Sequence, residues 1–297
     1  MGRPVELRPR THVGPPASHD RTHPHDGGGE HSGVSVRIYQ GPHADGRRNP
    51  ITWAWLPWLF AGITIGGQII WLLVVDARDL LTIATVVSFF LASFTHAWLS
   101  RGAWWAIAYA VIAAGIGWGM EAIGVRTGIP FGRYEYADTL GPMLLGVPVV
   151  VMLAWAMMAY PCLLAARRLS RTTAGVVIFG AWLLASWDLF LDPQMVSEGH
   201  WTWETPDPGL PGIPGIPLTN YMGWIITALI IMVLLQRLPE RTRSGDGVPT
   251  LMLLWVYCSN VLANAVFFDR PWVALWGGII MGIVVLPWAW ITWTRRP

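Results

Sequence analysis

The chain reads as an all-α, polytopic integral-membrane helical bundle of seven to eight transmembrane helices, preceded by a disordered polar N-terminal tail. Of its 297 residues, 53% are hydrophobic and only 13% are charged, against roughly a quarter charged in soluble globular proteins. Uncharged stretches such as Thr52 to Val75, Met143 to Ala166 and Pro271 to Thr294 each reach the roughly 20 residues that a helix needs to cross hydrocarbon. With so many long spans, a β-barrel pattern does not compete.

Residues 1 to 48 are polar, rich in Gly, Pro, His and Arg, and without periodicity, which predicts a disordered tail. Residues 49 to 297 then form a single transmembrane helical domain. The basic pair Arg47 and Arg48 precedes an apolar run too long and too late to be a signal peptide. Eight spans are expected, at about 52–75, 80–99, 103–121, 143–166, 172–191, 218–236, 249–268 and 271–294. The last two are separated only by Asp269, Arg270 and Pro271, so they form either a tight hairpin or one broken element. Prolines 57, 148, 161 and 287 fall inside spans, where neighbouring helices can satisfy the freed backbone groups.

Orientation follows from arginine, since all 20 basic residues are Arg. A cytoplasmic N-terminus places Arg101, Arg167, Arg168, Arg171, Arg237, Arg241, Arg243, Arg295 and Arg296 on the cytoplasmic side, as the positive-inside rule requires. A multi-pass protein of the cell membrane is expected. The opposite side keeps Arg78, Arg126, Arg133 and Arg270. That side also holds the two longest connectors, 122–142 and 193–217, both dense in Gly, Pro and aromatics, as functional lids or site walls often are.

Three carboxyls close their spans on this same side: Glu121, Asp188 and Asp192. An ionisable group at the edge of hydrocarbon costs a few kcal/mol, about 2.5–3.5 on insertion scales, and usually persists for a function. Asp188 and Asp192 are four apart and share a helix face, so repulsion leaves one of them holding a proton. Pro193 is expected to end the helix there, and a solvated helix end is the plain structural alternative for Asp192. Around Glu121, Gly115, Gly117, Gly119 and Gly124 admit a close neighbour, helix or ligand. Tyr134, Tyr136, Trp187, Trp201, Trp203 and Trp224 crowd the acids; interface belts use such residues routinely, yet aromatic faces also stabilise cations.

Other polar residues point to structure first. His96 is a lone, packed or hydrogen-bonded histidine, His200 is solitary, and Asn260 and Asn264 join helices by hydrogen bonds. Arg126 and Arg133 pair with Glu135 or Asp138, or orient the acids. Cys162 and Cys258 lie in apolar runs, which argues against a disulfide. Tail histidines such as His23 and His25 complete no metal site. No phosphate-cradling Gly loop, iron-type His box, nucleic-acid surface or internal repeat is evident.

Several blocks in order carry a family resemblance. They are Glu121-Ala-Ile-Gly-Val-Arg-Thr-Gly-Ile-Pro-Phe-Gly-Arg-Tyr-Glu-Tyr, Gly146-Val-Pro with Ala154-Trp-Ala-Met-Met-Ala-Tyr, Asp188-Leu-Phe-Leu-Asp-Pro, Gly199-His-Trp-Thr-Trp and Ile216-Pro-Leu-Thr-Asn-Tyr-Met-Gly-Trp. Over about residues 60 to 290 the chain resembles the CruF-type carotenoid hydratases, integral-membrane proteins of carotenoid biosynthesis. The resemblance implies cofactor-independent addition of water to the terminal C=C of an acyclic carotenoid end group, γ-carotene-like or a bacterioruberin-type precursor, giving a tertiary alcohol. It implies as partners a lipophilic carotenoid, the bilayer and other enzymes of the carotenoid pathway. Residue chemistry then assigns Glu121, Asp188, Asp192 and Asn220 to catalysis, with Glu121 and Asp188 as the principal acid–base pair and Asp192 and Asn220 placing water. The six aromatics bind substrate and tolerate the carbocation.

Two rival readings remain at this level. The Asp188-xxx-Asp192 spacing is compatible with a magnesium-dependent membrane prenyltransferase, although residues 193–217 contain no Lys or Arg for a diphosphate. A non-enzymatic carotenoid-binding or transport protein would also use buried acids and aromatics.

Overall fold

The structure is a computed structural model that describes residues 53–240 and 245–294. The predicted tail, 1–48, lies outside the described residues, as do Arg241, Arg243, Arg295 and Arg296. Among the described residues, eight helices are long and apolar enough to cross a membrane. They are α1 (Leu56–Leu73), α2 (Arg78–Arg101), α3 (Ala103–Thr127), α4 (Val149–Leu169), α5 (Thr173–Ser197), α6 (Leu218–Leu235), α7 (Gly247–Leu262) and α8 (Pro271–Thr294). The last two are separate: α7 runs on through a π-helical turn, Ala263–Phe267, and Asp269 takes a positive φ of 52° before Pro271 opens α8.

Three boundaries differ from expectation, and each matters for the site. Helix α3 continues to Thr127, where Gly128 at φ 74° caps it, so Glu121 lies within the helix and not at its end. Helix α5 continues through Pro193 to Ser197; proline removes one donor, but the helix tolerates this as membrane helices commonly do. Asp192 is therefore an interior helical residue, contrary to the helix-end reading. Helix α4 starts late because residues 143–148 fold as a short hairpin, β2 (Met143–Leu144) with β3 (Val147–Pro148). Leu145 and Gly146 turn it with φ of 56° and 85°, both positive as the tightest hairpin turn requires. Pro148 is thus the N-cap of α4 and not an internal proline.

Helix α4 forms the centre of the bundle, with 83% of its apolar window buried, against 22% for α1 and for α7. Its small residues Ala156, Ala159 and Ala166 are fully buried, which lets neighbouring backbones approach closely, as small-residue interfaces in membranes do. Close approach is also built into α3. A Cβ at Gly117 would come within 2.3 Å of Trp155, and one at Gly124 within 2.7 Å of Phe131, so the large rings of α4 and of the following connector lie directly on the α3 backbone. Gly115 and Gly119 have nothing within 4 Å and serve no such contact.

The two long connectors meet at the end of the bundle where α3 and α5 finish. Their strands β1 (Tyr134–Tyr136) and β4 (Trp201–Trp203) pair antiparallel, with Tyr134 opposite Trp203 and Tyr136 opposite Trp201. Alternation along a strand sends successive side chains to opposite faces. Tyr134, Trp201 and Trp203 are accordingly buried, while Glu135 and Thr202 are exposed.

Candidate functional site

A cavity of about 410 Å³ adjoins this ribbon and is lined by residues of α1 to α7. Its volume is that of a pocket for a drug-sized molecule, roughly 300–1,000 Å³. The wall is mostly aromatic and aliphatic, and no cationic side chain lines it. Of the residues singled out from sequence, Glu121, Asp192, Asn220, Tyr134, Tyr136, Trp187, Trp201, Trp203 and Trp224 all line it. Asp188 does not; it is fully buried one turn behind Asp192.

Two carboxyl centres line this space, bridged at its ribbon end by the cross-strand pair Tyr136 and Trp201. On the α3 side, Glu121 is 5% exposed. Its Oε2 accepts from the Tyr136 hydroxyl at 2.9 Å and from the Tyr134 hydroxyl, and its Oε1 accepts from Trp155 Nε1 at 3.2 Å. Burial, reinforced by the Glu121 charge, pushes both tyrosines well above their ordinary range, so both remain phenols and donate. Glu121 is thus fixed by three neutral donors. The β-ribbon supplies two of them, because its register turns both tyrosines inward.

On the α5 side, Asn220 near the start of α6 ties the aspartates together. Its Nδ2 donates to Asp188 Oδ2 at 2.8 Å and to Asp192 Oδ2. Asp192 Oδ1 accepts from Trp201 Nε1 at 3.2 Å, while Asp188 Oδ1 is buried without a hydrogen-bond partner. The helical spacing of four therefore does bring the aspartates onto one face. Asp192, and not Asp188, presents its carboxyl to the cavity.

Trp155 of α4 is the residue that sequence reasoning left unassigned. Besides donating to Glu121, it stacks on Trp224 with centroids 3.9 Å apart and planes 22° apart, and Trp187 meets Trp224 edge-on at 5.9 Å. Its signal was present in the Ala154-Trp-Ala block, but nothing local distinguishes it from an ordinary core tryptophan.

The remaining polar residues resolve as follows. His96 is hydrogen-bonded, to Tyr160 Oη at 2.8 Å and the Gly245 carbonyl at 3.2 Å, as expected. His200 is not solitary: its Nδ1 lies 2.7 Å from Thr139 Oγ1, and burial pulls its ring below the ordinary histidine range against the opposing charges of Asp79 and Glu198. Asn260 and Asn264 donate to the carbonyls of Val256 and Asn260, within their own helix and not between helices. The ion pairs among the described residues use Arg78, Arg101, Arg167 and Arg168, with a long His200–Asp79 contact; none uses Arg126 or Arg133. Cys162 and Cys258 are free thiols.

Fold and cavity together define a helical membrane protein with an apolar, aromatic chamber that two buried carboxyl centres line. The chain belongs to the carotenoid biosynthesis protein family, whose model matches residues 79–288. It is also 33% identical over 197 residues to the bisanhydrobacterioruberin hydratase of Haloarcula japonica. That match covers 60% of this chain, and the chain spans 60% of the length of the relative. No solved structure matches.

Proposed function

We propose that the protein adds water to the terminal C=C of an acyclic carotenoid end group by acid catalysis within this cavity. The observation that carries the reading is the presence of two buried carboxyl centres, Glu121 and Asp192, in the wall of one aromatic chamber that no cationic side chain among the described residues lines. Family membership and the named activity of the relative support the same reaction class.

Protonation of an unactivated alkene needs a carboxylic acid, and the paired aspartates are suited to hold one. Two carboxylates on a single amide nitrogen in a buried site would repel, so one proton sits between Asp188 and Asp192. Asp192, facing the cavity, delivers it to the CH carbon of the terminal double bond. The π electrons form the new C–H bond and leave a tertiary cation on the neighbouring carbon. The faces of Trp155, Trp187 and Trp224 stabilise that cation, each by about 0.5–2 kcal/mol. Water attacks the cation through oxygen, and Glu121, held as an acceptor by Tyr134, Tyr136 and Trp155, takes the proton that water releases. The balance is one alkene plus one water to one tertiary alcohol once the proton on Glu121 returns to the aspartate pair, which resets both groups for the next turnover. The roles thus shift from the sequence reading: Asp192 donates, Asp188 supports it, and Asn220 positions both.

Expression in a bacterium that accumulates lycopene or γ-carotene tests the activity. A new pigment heavier by one water is expected, and unchanged pigment from well-expressed protein would overturn the reading. Retained pigment without product would favour a binding protein; magnesium-dependent turnover of an allylic diphosphate would favour prenyl transfer. The mechanism has its own test. Reaction in D₂O is expected to place one non-exchangeable deuterium on the carbon next to the alcohol, and its absence would rule out protonation by the acid pair.

A further inference from the structure

The cavity is not closed on all sides. Its acid-bearing wall is almost entirely buried, but Ile69, Leu262 and Phe267, which also line it, are 47%, 55% and 61% exposed. These residues belong to α1 and to α7 with its π-helical turn. On α7 the lining positions Trp255, Ser259, Leu262 and Phe267 recur at three- to five-residue intervals, so one helix face forms a continuous wall. Opposite it run Gln68, Ile69 and Leu72 of α1. The chamber therefore continues as a seam between α1 and α7 to the outer surface of the bundle, at the two helices with the smallest buried share.

One polar contact crosses the seam. Trp255 Nε1 donates to Gln68 Oε1 at 2.6 Å, and both residues line the cavity. An amide within a hydrocarbon-spanning helix needs a partner, and Trp255 supplies it from the other side of the seam. Eight residues further on, α7 ends in the π-helical turn Ala263–Phe267, which carries the lining residues Ala263 and Phe267.

We infer that the seam between α1 and α7 is a lateral portal, through which a carotenoid's end group enters from the bilayer and along which its polyene chain remains while the end group reacts, with Gln68 and Trp255 as the bar across it. The inference rests on the proposed carotenoid substrate. A cavity of about 410 Å³ takes an end group; the rest of a molecule comparable in length to the hydrocarbon core, roughly 30 Å, must lie outside it. The lining of the seam is mostly aliphatic and aromatic, its polar groups Gln68, Trp255, Ser259 and Asn260 are all uncharged, and it matches a hydrocarbon chain better than a charged ligand.

The test labels the path directly. A photoreactive diazirine amino acid is placed at Ile69, Leu262 or Phe267 of the full-length protein in vesicles containing lycopene, and at Ile279 on the exposed face of α8 as control. Covalent pigment is expected at the three seam positions and at background level at position 279. Equal labelling everywhere, or none at the seam, would overturn the portal. Because labelling needs no turnover, labelled but inactive protein would sink the hydratase reading alone, while active protein labelled uniformly would sink the portal alone. A second arm narrows the seam: Ile69→Trp is expected to lower kcat/KM for lycopene at least about tenfold, through KM, and Ile279→Trp to leave it unchanged. Wild-type kinetics in Ile69→Trp would overturn the proposal.

Discussion

The three donors on Glu121 make a residue-scale claim that can be dissected one group at a time. Glu121→Gln keeps the shape and one acceptor oxygen for the tyrosines, sets its NH₂ against the Trp155 N–H and cannot take a proton from water, so hydration is expected to fall about 10²–10⁴-fold. Membrane insertion should be normal, as judged by pigment analysis alongside quantified membrane protein. Asp192→Asn should be at least as severe as Asp188→Asn, because Asp192 is the group that faces the cavity. The reverse order would restore Asp188 to the donor's role. Tyr136→Phe removes one of two phenol donors from Oε2 without emptying the site. A loss of about 0.5–1.5 kcal/mol of transition-state stabilisation is expected, read as a fall in kcat with KM little changed.

At the scale of elements, the site is held by contacts between parts distant in sequence. The β1–β4 ribbon, 65 residues or more apart along the chain, determines which way Tyr134, Tyr136, Trp201 and Trp203 face. Glycines 117 and 124 determine how near the large rings come to α3. Gly124→Leu would drive a side chain into Phe131 and Tyr134, and overpacking of this kind costs about 1–3 kcal/mol. Lower thermal stability in detergent is expected, together with loss of hydration as Tyr134 is displaced. Glu135→Gln, on the exposed face of the same ribbon, should change neither. That these two connectors are dense in aromatics beside the acids was legible in the sequence. That the two runs pair was not, since strand pairing is a long-range fact with no local signal.

For the whole molecule, the arginines at the end opposite the site do more than mark a side. Arg101 is buried, donates to the Tyr160 hydroxyl at 2.7 Å and pairs with Asp246 at 2.9 Å. Arg167 donates to the Leu238 carbonyl at 2.6 Å and to those of Leu235 and Gln236, satisfying carbonyls at and after the end of α6. Both guanidinium groups thus fasten the α6–α7 region to α2 and α4. Arg101→Ala would leave Asp246 with Arg168 alone and remove a charged donor from the Tyr160 hydroxyl, and is expected to cost about 1.5–3 kcal/mol, the range for a hydrogen bond to a charged group. It should lower the thermal midpoint, while the folded fraction keeps its kcat, because the site lies at the other end. An arginine asymmetry read as topology is therefore also an asymmetry of tertiary fastening.

The sequence by itself determined the helical membrane class, the approximate extent of the spans and their number to within one, and the residue types that meet at the cavity. Each of these follows from local quantities: apolar length, helical spacing and the clustering of aromatics beside acids. Tertiary structure alone decided that Glu121 and Asp192 lie inside their helices, that Asp192 and not Asp188 faces the cavity, and that Trp155 joins the site. Those outcomes depend on where Asn220, Tyr134, Tyr136 and Trp201 arrive from other elements, and a carboxyl's orientation is set by the donors that reach it in space, not by its neighbours along the chain.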